Sequence, residues 1–317
     1  MHMPQDHLNC RLFLEYIDNT YLIVVMASGD VDVGLTFLKK LELYDWEKPF
    51  EIYMDIPPKA PDQRRNNTEY EVKSHTVRDI RGREKDFSLD EQGFTIRNFS
   101  SKIDSQDSID RQSIENVYLP EVDELIRCHI GDVDRIFIFE WRLRSGDVQI
   151  KEGDIIDMND LENWITPAQV VHVDQSPRAV LHRVQLHMKD EAESLLQGRV
   201  RVINVWKPLK NPVEDYPLAV CDSSSMALDD LIESDHIRKR FTGATLYAHY
   251  NLNQKWYYLS QHRPDEALIM KIFDSQDNVK GKRCPHSAFR HPKYQEGLPS
   301  RKSIEVRALV FSSSSEL

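Results

Sequence analysis

The sequence predicts a mainly β fold whose strands close into a double-sheet core, braced by two or three helices and an elaborated N-terminal region. Three observations carry that prediction. About the last 150 residues hold at least seven strand candidates with turn chemistry between them. Clear helical periodicity is confined to Pro120–Ile130 and Pro177–Gln197. The 317 residues are 40% hydrophobic and 29% charged, enough apolar chain to build a core without disulfides or a structural metal.

The elements follow in order. Leu22–Met26 (LIVVM) reads as a short strand, and Pro57–Thr68, rich in Pro and Asn, as a loop. Arg78–Phe94 alternates charged and apolar residues around two glycines, which suits short strands with turns. Ser100–Asp110 repeats Ser and Asp and reads as an exposed loop. Pro120 suits a first helical position, Val122, Leu125, Ile126 and His129 share one face, and Gly131 stops the helix. In Val133–Leu143 both alternating sets are apolar, so a central strand is expected. Asp154–Trp164 is a polar connection. Val170–Asp174 is β-rich, Ser176-Pro177 opens a helix running to Gln197, and Gly198 ends it. Arg199–Trp206, Leu218–Cys221, Ala244–Tyr250, Lys255–Gln261, Ala267–Asp274 and Ile304–Phe311 are the later strands. Residues 1–165 are expected to pack as an elaboration on a core formed by 166–317.

Composition excludes several functions. The formal charge of −11 argues against a nucleic-acid partner, which needs a basic face. The longest apolar run is far short of a membrane span, and the N-terminus lacks a signal-peptide layout. A cytoplasmic protein is therefore expected. Cys10, Cys128, Cys221 and Cys284 are scattered with no CxxC, which disfavours structural zinc and disulfides. None of the 11 glycines forms a GxG, so a dinucleotide loop, a Walker loop and a Gly-rich S-adenosylmethionine loop are all missing.

One constellation carries chemistry. His172-Val173-Asp174 is the sole His-x-Asp in the chain. Side chains two apart on a strand share a face, so an imidazole and a carboxylate converge there. They are two ligands of a 2-His-1-carboxylate triad, although alone they also fit a simple hydrogen-bonded pair. The third ligand must be a histidine well downstream. His286 has several strands between it and Asp174, His249 and His262 fall early, and His291 stays open. On the last strand Arg301, Ser303, Glu305 and Arg307 share a face. Buried arginines require an anion, and arginine forks a carboxylate with two parallel bonds. A dicarboxylate such as 2-oxoglutarate suits that face. Three protein ligands leave iron(II) positions for a chelating 2-oxo acid and dioxygen.

The runs VHVDQSP (171–177), NVWKPL (204–209), PLAVCDSSS (217–225), KIFDSQ (271–276), PHSAF (285–289) and PSRKSIEVRALVF (299–311) resemble a hydroxylase/desaturase family. That family includes an aspergillic-acid pathway hydroxylase, a gibberellin desaturase and the smaller component of a cephamycin methoxylation system, and is similar to the iron(II)/2-oxoglutarate oxygenases. RDIRGREKDFSLDEQGF (78–94) and YLPEVDELI (118–126) share the likeness, which covers roughly residues 45 to 311. The resemblance implies a double-stranded β-helix (jelly-roll, cupin-like) core. It implies an iron site of His172, Asp174 and His286, choosing His286 over His291. It implies that Arg301 and Ser303 bind 2-oxoglutarate, with Arg307 as a further contact. Asn204, Trp206, Tyr257 and Tyr258 are candidate substrate contacts. The expected activity is hydroxylation or desaturation of a small secondary metabolite with dioxygen, releasing succinate and carbon dioxide. The alternative is an accessory metal-binding component that assists another tailoring enzyme.

Overall fold

The computed structural model describes residues 12–17, 20–25, 29–105, 109–149, 160–239 and 241–313. Strands dominate it. In chain order they are β1 (Leu12–Ile17), β2 (Thr20–Val25), β3 (Val31–Leu38), β4 (Phe50–Ile52), β5 (Tyr70–Asp79), β6 (Phe94–Asn98), β7 (Arg135–Ser145) and β8 (His172–Val173). There follow β9 (Arg199–Pro208), β10 (Leu218–Cys221), β11 (Leu231–Ile237), β12 (Thr242–Ala248), β13 (Trp256–Tyr258), β14 (Glu266–Asp274), β15 (His286–Ala288) and β16 (Lys302–Ser312). The principal helices are α1 (Leu119–His129) and α2 (Pro177–Met188).

Two sheets make the body. The larger has nine strands in the order β3-β5-β13-β10-β15-β8-β12-β11-β4, and the smaller five in the order β6-β14-β9-β16-β7. β1 and β2 form a separate two-stranded sheet. The core lies between the two large sheets. Val173, Val220 and Leu246 from one meet Val202, Trp206, Met270, Leu309 and Phe311 from the other in a single apolar cluster. This is the jelly-roll arrangement, and alternation along each strand produces it. On β16, Leu309 and Phe311 face that interior, while Ile304, Val306 and Ala308 face outward. The outward set is covered by Val122, Leu125 and Ile126 of α1. α2 starts at Ser176, whose hydroxyl accepts from the Ala179 amide at 3.2 Å, and buries Val180, Val184 and Met188 in the inter-sheet cluster. The first 165 residues supply β3, β4 and β5 to the larger sheet and β6 and β7 to the smaller.

Several sequence expectations need correction. β7 is an edge strand, not a central one. Phe137 and Phe139 pack toward the inter-sheet cluster while Ile136 and Ile138 pack on the outer one, so both faces are covered from above and below without a strand on each side. The 177–197 helix is broken: Lys189 has φ 49°, and a single turn at Lys189–Glu191 leads into a short helix, Ala192–Leu195. His129 is exposed at the end of α1, and the extended Ile130 after it enters the core instead. Residues 100–110 are not simply exposed. A turn at Lys102–Ser105 buries Ile103 completely, anchored where Asp104 pairs with Lys207 at 2.7 and 2.8 Å. Strands β1, β3, β4, β11 and β15 and most of β5 lie where none was expected. Most of the 154–164 connection falls outside the described residues, as does Met26.

Ile103 gives a direct check on the packing of this N-terminal segment. Ile103→Ala should lower unfolding stability by about 2–4 kcal/mol, read from the shift of the urea midpoint at unchanged slope. A midpoint within error of the parent would show that the side chain is not in the core.

Candidate active site

β8 and β15 are antiparallel neighbours, and His172 and His286 stand directly opposite each other in their register. Side chains paired in this way are the closest neighbours a sheet provides. Their ring centroids are 4.5 Å apart. Asp174 lies two residues past His172 and turns its carboxylate to the same point. Its Oδ1 is 3.5 Å from His172 Nε2 and its Oδ2 3.9 Å from His286 Nε2. One ligand atom from each residue lies within 4.8 Å of the others.

The outer nitrogens are already used. His172 Nδ1 donates to the Val170 carbonyl at 2.7 Å, and His286 Nδ1 to the Cys284 carbonyl at 3.0 Å. That assignment of the ring protons leaves both Nε2 lone pairs aimed inward, as metal ligation requires. Burial, then the neighbouring His172, pushes the His286 pKa down to about 4, so its ring is neutral at ordinary pH.

The opposite sheet holds Asp174 in place. Burial alone would raise its pKa, but the Arg307 guanidinium and the two imidazoles hold it well below the usual carboxylate range. Arg307 Nη2 donates to Oδ1 at 2.9 Å, and Asn204 Nδ2 donates to Oδ2. Asn204 and Arg307 are themselves cross-strand partners on β9 and β16. Arg307 also donates to Glu140 at 2.6 Å and to Glu305 at 2.5 Å. Arg144 grips Glu305 with two contacts of 3.2 Å, and Arg142 pairs with Glu140 at 2.7 Å. Three carboxylates and three guanidiniums thus interlock beneath the histidines.

Arg301 and Ser303 differ from Arg307. Both are buried, at 3% and 0% exposure. Arg301 Nη1 donates to the Tyr216 carbonyl at 2.8 Å, and its guanidinium lies 5.4 Å from the Trp206 ring centre. Its Nε and the Ser303 hydroxyl have no hydrogen-bond partner. Burial, then nearby Arg144, pushes the Arg301 pKa down to about 9. A buried cation beside an orphaned hydroxyl fits a carboxylate that accepts from both. The two imidazoles, the aspartate and this anion slot fit ferrous iron with a dicarboxylate.

Comparisons with known proteins agree. A family profile described as "YDMC: Oxidoreductase/YMDC permease-like domain" matches residues 35–311. The hydroxylase/desaturase poxK of Penicillium oxalicum is 31% identical over 324 residues, covering 90% of this chain and 92% of that protein. The solved iron and alpha-ketoglutarate-dependent endoperoxidase NvfI superposes with a TM-score of 0.77 at 29% identity, covering 90% of this chain and all of that one. The chain belongs to the hydroxylase/desaturase family of Fe(II)/2-oxoglutarate-dependent oxygenases. Aspirochlorine biosynthesis protein N of Aspergillus oryzae is 42% identical over a shorter stretch, 45% of this chain and 60% of that protein. Among the described residues no helix is long and apolar enough to cross a membrane.

In this oxygenase a cavity of about 390 Å³ opens onto His172, Asp174 and Arg307. Arg142, Arg144 and Glu140 also line it. They were not singled out from sequence, although Glu140, Arg142 and Arg144 alternate on β7 and so share a face. Of the four candidate substrate contacts, Asn204 is on Asp174 and Trp206 is under Arg301. Tyr257 packs against Phe87 and Phe94, the Tyr258 hydroxyl donates to the Gly29 carbonyl, and neither lines the cavity. His249, His262 and His291 bind elsewhere, to the Leu38 carbonyl, beside Trp206 and beside Tyr258.

Removing Arg307 would leave buried Glu140, Glu305 and Asp174 short of countercharge. Arg307→Met should cost about 3–5 kcal/mol at neutral pH, with Arg307→Lys intermediate, measured by urea unfolding. Glu140 and Asp174 are held below their ordinary values by Arg307 and other cations against the opposing effect of burial. Their contribution is complete above about pH 4–5 and is lost as the pH falls through the depressed folded values. The difference between parent and Arg307→Met should therefore narrow on the acid side.

Proposed function

We propose that His172, Asp174 and His286 hold the ferrous ion, and that Arg301 and Ser303 bind the distal carboxylate of 2-oxoglutarate. The observation that carries this reading is the convergence of three ligand atoms within 4.8 Å of one another, with His172 and Asp174 lining the cavity. When bound, iron(II) and 2-oxoglutarate would supply, with dioxygen as the oxidant, oxidative decarboxylation to succinate and carbon dioxide coupled to removal of hydrogen from an unactivated C–H bond.

The chain's own residues prepare that chemistry. The Val170 and Cys284 carbonyls fix the two ring orientations. Asn204 and Arg307 orient the Asp174 carboxylate and keep it ionised. Arg307 already serves three carboxylates, so Arg301, with its free Nε, is the main cosubstrate anchor and Arg307 the positioning group. The cavity offers room for a substrate C–H beside His172. Hydroxylation and desaturation share these parts and differ in how the substrate sits. The substrate is a small natural product. The free Cys128, Cys221 and Cys284 fit a reducing compartment, which supports action in the cytosol.

Under anaerobic conditions, Fe(II) and 2-oxoglutarate together should give a weak visible charge-transfer band that neither gives alone. His172→Ala should abolish it, and a band surviving that change would remove His172 from the ligand set. Arg301→Ala should raise the 2-oxoglutarate concentration for half-saturation by about 10–100-fold, the loss expected for a charge-assisted fork. An unchanged requirement would move the anchor elsewhere.

A further inference from the structure

The cavity has an acidic pole and a basic pole, and only one of them is satisfied. At the acidic pole Glu51 accepts from the Tyr53 hydroxyl, from the Tyr70 hydroxyl at 2.5 Å and from the Tyr247 hydroxyl at 3.1 Å. Its carboxylate needs nothing from a guest. The basic pole has five arginines. Arg307, Arg144 and Arg142 are bonded to Asp174, Glu140 and Glu305 as described above. Arg183 and Arg238 are not.

Arg183 projects from α2. Its guanidinium carbon lies 4.5 Å from the Phe139 ring centre and 4.8 Å from that of Phe241, and its Nε is buried with no hydrogen-bond partner among the described residues. Arg238 follows β11. Its nearest carboxylate oxygen is Glu140 Oε1 at 3.9 Å, and its Nε is buried without a partner. Both line the cavity with His172 and Asp174. Around the cavity five guanidiniums face four carboxylates, Asp174, Glu140, Glu305 and Glu51, so one positive charge remains. A ferrous ion and a 2-oxoglutarate dianion bring equal and opposite charge and leave that surplus intact. Desolvated guanidinium without an anion is unfavourable, and burial lowers the pKa of both arginines, that of Arg183 to about 10. Arg301 stands apart from this pair: it is absent from the cavity lining and has its own orphaned neighbour in Ser303.

We propose that the substrate of this enzyme bears a carboxylate, bound by Arg183 and Arg238. The proposal rests on the iron and cosubstrate assignment above. The carboxylate fixes the substrate's end, and the phenols around Glu51 receive the neutral, oxygen-bearing remainder. Phe139 and Phe241 hold Arg183 in position by stacking, which favours a two-bond fork over a loose ion pair.

The test uses a matched pair of probes, 2-naphthoate and 2-naphthamide, which share shape and differ in charge. Each is titrated calorimetrically into the anaerobic enzyme loaded with Fe(II) and 2-oxoglutarate. Naphthoate should bind about ten-fold tighter than the amide or better, as charge-assisted bonds to guanidinium imply. That preference should fall to about two-fold or less in Arg183→Gln and in Arg238→Gln, and Arg183→Lys should recover part of it. Binding of neither probe, equal binding of both, or a preference that survives both substitutions overturns the proposal. So does a rise in the 2-oxoglutarate requirement in these variants, which would make the pair a cosubstrate site. Failure of the iron assignment is seen separately, as absence of the charge-transfer band in the unsubstituted enzyme.

Discussion

The structure depends on one carboxylate shared by two sheets. Asp174 leaves β8 of the larger sheet and is met by Asn204 and Arg307 from the smaller. The pair that receives it is a register pair, as are the two histidines beside it. Ligand geometry is therefore set by backbone pairing and not by long flexible side chains. A slip of one residue in either sheet would turn these groups to the wrong face. The apolar cluster between the sheets and the polar centre thus enforce the same register.

Around that carboxylate the interior is charged to an unusual degree for a core. Glu140, Glu305 and Asp174 alternate with Arg142, Arg144 and Arg307, all drawn from β7, β16 and the end of β8. Such clusters add little net stability over apolar packing, but each member is costly to remove singly. Their service here is orientation: they hold the Asp174 carboxylate ionised in surroundings where burial alone would protonate it. Arg301 sits outside this closed set, which is why it retains donor capacity for a guest.

Much of this was legible in the sequence, for reasons that differ by element. His172 and Asp174 were visible because strand periodicity puts i and i+2 on one face, and Arg301, Ser303, Glu305 and Arg307 were visible for the same reason. The third histidine was not fixed by spacing, because strand order within a sheet cannot be read from alternation; the family resemblance supplied it. β15 itself escaped notice because three residues after a proline carry no periodic signal. β7 was read as central because two covered faces look alike whether a strand lies beside them or not. Tyr257 and Tyr258 were singled out as aromatic residues near the expected site, yet their neighbours are core rings and a backbone carbonyl. Arg183 and Arg238 escaped because their significance is a deficit of partners, which only coordinates display.

The helix that begins at Ser176 follows the His172–Asp174 segment almost without a break, and it carries Arg183 seven residues into its span. The proposed metal ligands ride on β8 and β15, and the proposed cosubstrate fork on the approach to β16. On the proposed assignments, selectivity and oxidising power are housed on different pieces of chain. Divergence of the helical wall and of the hairpin joining β11 to β12 can redirect such an enzyme to new molecules while the register that seats its metal stays untouched.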